Sequence, residues 1–210
     1  MSVAQNPLTG PMRNAMGNVI MYSYNGMNIV RSKPFNPKDP KSEKQLRNRA
    51  RMSLIADMYQ TFKSIITLGF PERDERLVPQ NMFVAVNFNT AFVMVDNVPV
   101  ISYPLMLLAK GSLPKVTILR AQADADGITI NYDAHALTPD LNVNDEVIAC
   151  ASLLSGDLLK VKQFIGFEHI GTIHLTYPNL QAEDVVCCYV FVRSGDGEKA
   201  SDSVYVEVTD

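Results

Sequence analysis

The sequence predicts an α+β protein in which an N-terminal β-hairpin and a long helix precede a seven-stranded antiparallel β-sandwich. Three observations lead to this fold class. An Asn25-Gly26 pair joins two short apolar runs, an apolar stripe at helical spacing follows, and short apolar runs then alternate with turn signals. The predicted domains are residues 1–112, which hold an N-terminal arm, the hairpin and a basic helix region, and residues 113–210, which form the sandwich.

The composition indicates a soluble globular protein. Of the 210 residues, 47% are apolar and 20% are charged, which excludes disordered and fibrous classes. The N-terminus has no apolar h-region of a secretory signal, and the apolar runs are too short for a membrane span. We therefore expect the protein to be cytoplasmic at synthesis, and a component of a virion is compatible with this expectation.

The first elements are predicted from turn chemistry. Residues 1–17 contain Pro and Gly and few large apolar side chains, so we expect an extended arm. Residues 18–24 and 27–32 form the predicted hairpin, because Asn-Gly supplies the two positive φ angles of a type I′ turn. The proline-rich segment 33–41 should then be extended and without regular structure.

The long helix is predicted from its ends and its stripe. Ser42 lies three residues before Gln45, which is capping-box spacing, and Gly69 followed by Pro71 ends the pattern. The stripe consists of Leu54, Ile55, Met58, Phe62, Ile65 and Ile66.

The next segment, residues 72–110, is less regular. Residues 81–92 are predicted to be a second helix, with a strand as the alternative. The following segment is predicted to be a hairpin that turns at Asp96-Asn97, and residues 100–108 are apolar enough to lie in a sheet.

The sandwich is predicted from seven apolar runs: VTILRAQ, ITINYDA, EVIACASLL, LKVKQFIGFE, TIHLTY, DVVCCYVFVR and DSVYVEV. The connections ADADG, SGD and SGDGEKAS contain the Gly, Asp and Ser typical of tight turns.

The C-terminal stretch TIHLTYPNLQAEDVVCCYVFVRSGDGEKASDSVYVEV resembles the last three strands of a fibronectin type III or immunoglobulin-like module. The resemblance implies a sandwich over the C-terminal domain. Such modules place a Trp early in the core, whereas this chain has no Trp, and Tyr132 is the residue expected in its place.

The chain also resembles an uncharacterised bacterial domain family of unknown function about as long as this chain. The matching pieces are NPLTGPMRNAMGNVIMYSYNGMNIVRSKP, Asn36-Pro37, the basic helix start at 45–51, KGSLP at 110–114 and SDSVYVEV at 201–208. The resemblance implies a shared fold and a bacterial or phage ancestry, and it assigns no activity and no catalytic residue.

The residues that usually carry chemistry form no motif. Cys150, Cys187 and Cys188 include no C-x-x-C pair, so buried free thiols are expected, with a metal or redox site as the alternative. The three histidines form no H-E-x-x-H, and no P-loop, G-x-S-x-G or G-x-G-x-x-G is present. ADADG fits a turn better than a calcium loop. We therefore expect no enzyme, and no catalytic, cofactor-binding or metal-binding residue is predicted.

The unusual feature is a cluster of positive charge. Residues 1–63 hold ten Lys/Arg and three Asp/Glu, whereas residues 64–210 hold nine and nineteen. At about 100° per residue, Lys44, Arg47 and Arg51 fall on the same side of the helix as the apolar stripe. Either the helix projects past its own domain, or the cations dock on something acidic. The candidate partner or phosphate contacts are Arg31, Lys33, Lys44, Arg47, Arg49 and Arg51.

Two functional hypotheses follow. The first is a structural or assembly protein, of phage or mobile-element type, that self-associates or binds another protein through the N-terminal basic region. The second is a nucleic-acid-binding protein that uses residues 31–51 on phosphates, with Tyr22, Tyr24 and Phe35 available for stacking on bases.

Overall fold

The computed structural model describes residues 2–4, 14–24, 26–35, 39, 41–74, 77–134, 142, 144–165 and 170–209. Within these ranges the chain is mostly β, with antiparallel sheets and two α-helices. The α+β class is therefore confirmed. By contact density the chain divides into a first unit, residues 1–42, and a second unit, residues 43–210.

The first unit contains a four-stranded antiparallel sheet. Its strands are β1 (Ser2–Ala4), β2 (Asn14–Met16), β3 (Val19–Tyr24) and β4 (Met27–Ser32), in the order β1-β4-β3-β2. The predicted hairpin is present as β3 and β4, and Gly26 has a φ of 74° in its turn. Asn25 lies outside the described residues. Two pieces of the expected arm are instead strands that extend this sheet, since an open hairpin edge offers unpaired backbone groups.

The second unit opens with the long helix α1 (Glu43–Gly69), which begins directly after Ser42, as predicted. Helix α2 (Pro79–Asn87) follows, with proline at its first position, where no amide donor is needed. Strands β5 (Phe92–Val95) and β6 (Val98–Ile101) form the second predicted hairpin. Asp96 and Asn97 have φ angles of 49° and 67°, as a type I′ turn requires. The expected strand over 100–108 ends at Ile101, and a 3-10 turn occupies Tyr103–Leu105.

Seven further strands follow in the second unit. They are β7 (Thr117–Asp124), β8 (Gly127–Asp133), β9 (Glu146–Leu153), β10 (Leu158–Phe164), β11 (Ile170–Thr176), β12 (Val185–Arg193) and β13 (Val204–Val206). One antiparallel sheet has the order β11-β8-β7, and the other has the order β10-β9-β12-β13.

Strand β12 is buried on both faces, so it lies between two apolar clusters of the second unit. Cys188, Val190 and Val192 belong to one apolar cluster, together with side chains of β8 and β11. The alternate residues of β12, such as Tyr189 and Phe191, belong to a second cluster with the stripe of α1. A strand covered on both faces is a continuous apolar run, as DVVCCYVFVR is.

Helix α1 therefore shares a core with the sheet that contains β9 and β12. The division into units lies between Ser42 and Glu43, and the predicted boundary between residues 112 and 113, which falls within the second unit, stays a prediction. No helix within the described ranges has the length and apolarity that crossing a membrane requires.

Candidate interaction surface

The start of α1 and the β5–β6 hairpin together form a surface that we call the helix–hairpin surface. It comprises residues 43–52 and 92–101, both in the second unit. A groove of about 300 Å³ runs between the two elements. It is lined by Glu43, Leu46, Arg47, Ala50, Asn97, Val98 and Pro99.

Arg51 is covered by the hairpin of its own chain. Its guanidinium carbon lies 5.6 Å from the centre of the Phe92 ring, and one Nη donates to Met94 Sδ at 3.8 Å. Its Nε is buried without a hydrogen-bond partner within the described part of the chain. The interaction with the ring face partly compensates the buried cation. The Phe92 ring and the Met94 thioether therefore cover Arg51. The sequence predicted either an acidic partner for these cations or a helix that projects past its domain.

The other basic residues of α1 are placed differently. Arg47 is half-buried in the wall of the groove, and it forms no ion pair with any residue that the structure describes. Lys44 is exposed on the same side of the helix. Arg49 is exposed and points about 200° away from Arg47, because two residues of an α-helix turn through that angle. Only part of the predicted basic cluster thus belongs to the groove.

Arg31 and Lys33 lie in the first unit. Arg31 is exposed at the end of β4, and its guanidinium carbon lies 5.7 Å from the centre of the Tyr22 ring on β3. Lys33 is exposed, and its backbone N–H donates to the carbonyl oxygen of Asn18 at 2.7 Å. Both side chains are accessible to solvent on a small sheet.

The outer face of the hairpin was not identified as a site from the sequence. Val93 pairs with Val100 and Val95 pairs with Val98, so alternation places all four side chains on one face. These valines are 42%, 43%, 52% and 58% exposed, respectively. Met94 and Pro99 pair on the opposite face, which is the face that meets Arg51. The alternating valines of FVMVDNVPV are the sequence signal that could have indicated this apolar face.

The family of unknown function DUF6266 matches residues 11–207 of the chain, which includes most of both units. The chain belongs to this family. No curated protein matches it. Membership in DUF6266 agrees with the expected uncharacterised domain family, and it assigns no role to any residue of the helix–hairpin surface.

The three thiols of this DUF6266 chain are free and buried in the second unit. Burial raises the pKa of Cys187 to about 12, and it also raises the pKa values of Cys150 and Cys188. Thiols with such high pKa values stay protonated at neutral pH and are poor nucleophiles. Among the described residues, no group of three His, Cys, Asp or Glu side chains is arranged to hold a metal ion.

Proposed function

We propose that this chain is a non-enzymatic structural or assembly protein that self-associates through the basic start of α1 and the β5–β6 hairpin. The observation that carries the proposal is the exposure of apolar side chains on both elements. Leu46 is 50% exposed beside the groove, and the four valines of the hairpin form one contiguous apolar face. An exposed apolar patch with a polar rim is typical of a protein-binding site.

The occupant that the charges favour is a second copy of the same chain. Arg47 and Glu43 line the groove, and Lys44 is exposed on the same side of the helix as Arg47. Asp96 lies at the tip of the hairpin, next to the groove residue Asn97. A two-fold pairing would bring the Asp96 carboxylate of one copy towards the cations of the other. The larger charge split, +7 for residues 1–63 and −10 for residues 64–210, also favours association between copies.

Sedimentation velocity over a range of concentrations tests this proposal. We expect wild type to show a concentration-dependent oligomer that Val95→Lys and Val98→Lys each weaken by at least about tenfold, because a lysine on an apolar interface must be desolvated. Leu154→Lys is the matched control, since Leu154 is 71% exposed in a turn of the second unit, outside this surface. Wild type that remains monomeric at high concentration would contradict the proposal, as would an equal effect of Leu154→Lys.

A second pair of variants distinguishes protein binding from the alternative prediction, in which residues 31–51 contact the phosphates of a nucleic acid. Lys44→Glu and Arg47→Glu should alter sedimentation and leave the mobility of nonspecific duplex DNA unchanged if the surface binds protein. If the basic segment binds nucleic acid, wild type should shift DNA with a steep salt dependence, and the charge reversals should abolish the shift. That second result would favour the alternative function.

We further propose that β7 to β13 form a fibronectin type III-like or immunoglobulin-like sandwich. The first, second and fifth of these strands share one antiparallel sheet, and the other four share the second sheet. Side chains from both sheets, including Ile130 and Val190, belong to one buried cluster. This arrangement supports two packed sheets of the kind found in such modules. Nuclear Overhauser contacts between Ile130 and Val190 test it, and their absence would contradict facing sheets.

A further inference from the structure

Two arginines line a second cavity, which lies apart from the helix–hairpin surface but in the same unit. Arg73 follows the C-terminal end of α1, and Arg193 is the last residue of β12. The cavity has a volume of about 520 Å³. Its lining residues are Thr67, Pro71, Arg73, Arg193, Gly197 and Glu198.

Arg193 has a buried donor that lacks an acceptor. Its Nε has no hydrogen-bond partner among the described residues, and its terminal nitrogen donates to the Gly197 carbonyl only over a long 3.4 Å. Gly197 has a φ of 77°, and a Cβ there would collide with the guanidinium, so glycine leaves the room that this side chain occupies. A buried guanidinium N–H without an acceptor is unfavourable, so the described residues do not fully satisfy Arg193.

One neighbouring counter-charge, Glu146, is engaged elsewhere. Glu146 on β9 lies directly opposite Arg193 in the strand register. Its carboxylate, however, accepts a hydrogen bond from Lys162 Nζ at 3.3 Å. Arg193 forms no ion pair with a carboxylate in the part of the chain that the structure describes.

Arg73 is held in position by the backbone around it. Its Nε donates to the carbonyl oxygen of Leu77 at 3.1 Å, and its Nη1 donates to that of Phe70 at 2.9 Å. These bonds orient the guanidinium at the wall of the cavity before any ligand binds, which reduces the entropy lost on binding. Together with Glu198, the two arginines give the lining a net charge of +1.

We propose that this cavity binds an oxyanion, either a phosphate or a carboxylate, through the guanidinium groups of Arg193 and Arg73. The planar guanidinium presents parallel donors that match the oxygens of both anions, and such bonds are strong because both partners are charged. The bound anion supplies a negatively charged partner for the guanidinium of Arg193, which forms no ion pair in the described part of the chain. This site does not depend on self-association.

The probes are inorganic phosphate and acetate, titrated at constant ionic strength with chloride as the reference. The readout is the arginine Nε–H region of a ¹⁵N–¹H spectrum. We expect a saturable shift of the Arg193 signal with at least one of the two anions, and comparing the two identifies the preferred chemistry. Arg193→Gln and Arg73→Gln should each weaken binding by about tenfold or more, because each removes charge-assisted hydrogen bonds.

Arg193→Lys and Arg120→Gln complete the design. Arg193→Lys keeps the positive charge but loses the planar donors, so we expect it to bind the anion more weakly than wild type. If Arg193→Gln fails to fold, Arg193→Lys takes its place as the test. Arg120 is exposed on β7, so Arg120→Gln makes the same charge change and should bind as wild type.

Three results would overturn the proposal. The first is no saturable shift with either anion in wild type, and the second is equal affinity in the Arg73 and Arg193 variants and wild type. The third is anion binding that appears only in the Glu146→Gln variant. In that case the Glu146 carboxylate would occupy Arg193 in the wild-type protein.

Discussion

Two buried tyrosines show how one hydrogen bond changes the role of a residue. Tyr132 is fully buried in the cluster that contains Ile130 and Val190, and its hydroxyl has no partner among the described residues. Burial raises the pKa of Tyr132, which keeps the phenol neutral. Tyr189 is also buried, but its hydroxyl donates to the carbonyl oxygen of Tyr103 at 2.8 Å. The core position of Tyr132 is predicted from the sequence, but sequence alone does not reveal which hydroxyl is paired.

The matched substitutions Tyr132→Phe and Tyr189→Phe should have different effects. Removing the unpaired hydroxyl of Tyr132 should leave the free energy of unfolding unchanged or raise it by up to about 1 kcal/mol. Removing the Tyr189 hydroxyl should lower the free energy of unfolding by about 1 kcal/mol, because the half-buried Tyr103 carbonyl then keeps only the Met106 N–H, at 3.1 Å, as a donor. Urea denaturation measures both, and equal losses in the two variants would contradict this account.

Glu72 joins two segments that are distant in sequence. One carboxylate oxygen accepts hydrogen bonds from the backbone N–H of Ser112 at 2.8 Å and of Ala200 at 3.1 Å. Burial raises the pKa of Glu72, but these hydrogen bonds outweigh burial and hold it below its ordinary value of 4.5. No local pattern in PERDERLVPQ predicted this role, because both partners are far along the chain.

The depressed pKa of Glu72 gives a signed pH dependence. The ionised carboxylate stabilises the fold above the unfolded pKa, and this contribution is lost as the pH falls through the lower folded pKa. Glu72→Gln should therefore reduce the denaturation midpoint at pH 7 and have a smaller effect at pH 3. An effect of the same size at both values would mean that the charge of Glu72 does not contribute.

At the scale of elements, the ends and the buried face of helix α1 follow from local sequence signals, whereas its contact with the hairpin does not. Ser42, Gly69 and the apolar stripe predicted its ends and its buried face, since each acts within a few residues. The docking of Arg51 on Phe92 and Met94 was not predicted, because it depends on how the β5–β6 hairpin folds back across the helix.

Replacement of Arg51 tests whether its surroundings are apolar, as the contacts with Phe92 and Met94 indicate, or include an acidic partner. Arg51→Met should change the free energy of unfolding by less than about 1 kcal/mol, because the methionine can fill the same apolar site. Arg51→Lys should lower it by about 1 kcal/mol, since the ammonium is strongly hydrated and lacks a planar face. Thermal or urea unfolding of both variants measures this. A neutral lysine variant and a strongly destabilised methionine variant would instead indicate an acidic partner.

The layering around strand β12 also determines how the thiols react. The run DVVCCYVFVR predicted a strand, and burial on both faces follows from the position of α1 over one face. At pH 8 a disulfide reagent that reports free thiols should react with Cys150, Cys187 and Cys188 only after unfolding, because burial keeps their pKa values high. Rapid reaction of any of the three in the native protein would contradict the described core.

At the scale of the whole molecule, each predicted run from VTILRAQ to DSVYVEV overlaps one observed strand, because periodicity and turn residues are local signals. The partners of these strands and the contact of α1 with β12 were not predictable from those signals. For the candidate site, the sequence indicated the cations of α1, and the alternating valines around the predicted Asp96-Asn97 turn were a signal for the apolar face that was not used. The uneven charge distribution does not by itself indicate which cations contact a partner. The structure is needed to identify Arg47 as a cation of α1 that lines the groove next to the hairpin.

Amide hydrogen exchange at low and high protein concentration tests the central claim, self-association through the helix–hairpin surface, most directly. The account predicts that exchange in residues 43–52 and 92–101 slows as the concentration rises, whereas exchange in β7 and β8 stays constant. Exchange in the hairpin that is independent of concentration, or slowing confined to β7 and β8, would contradict it.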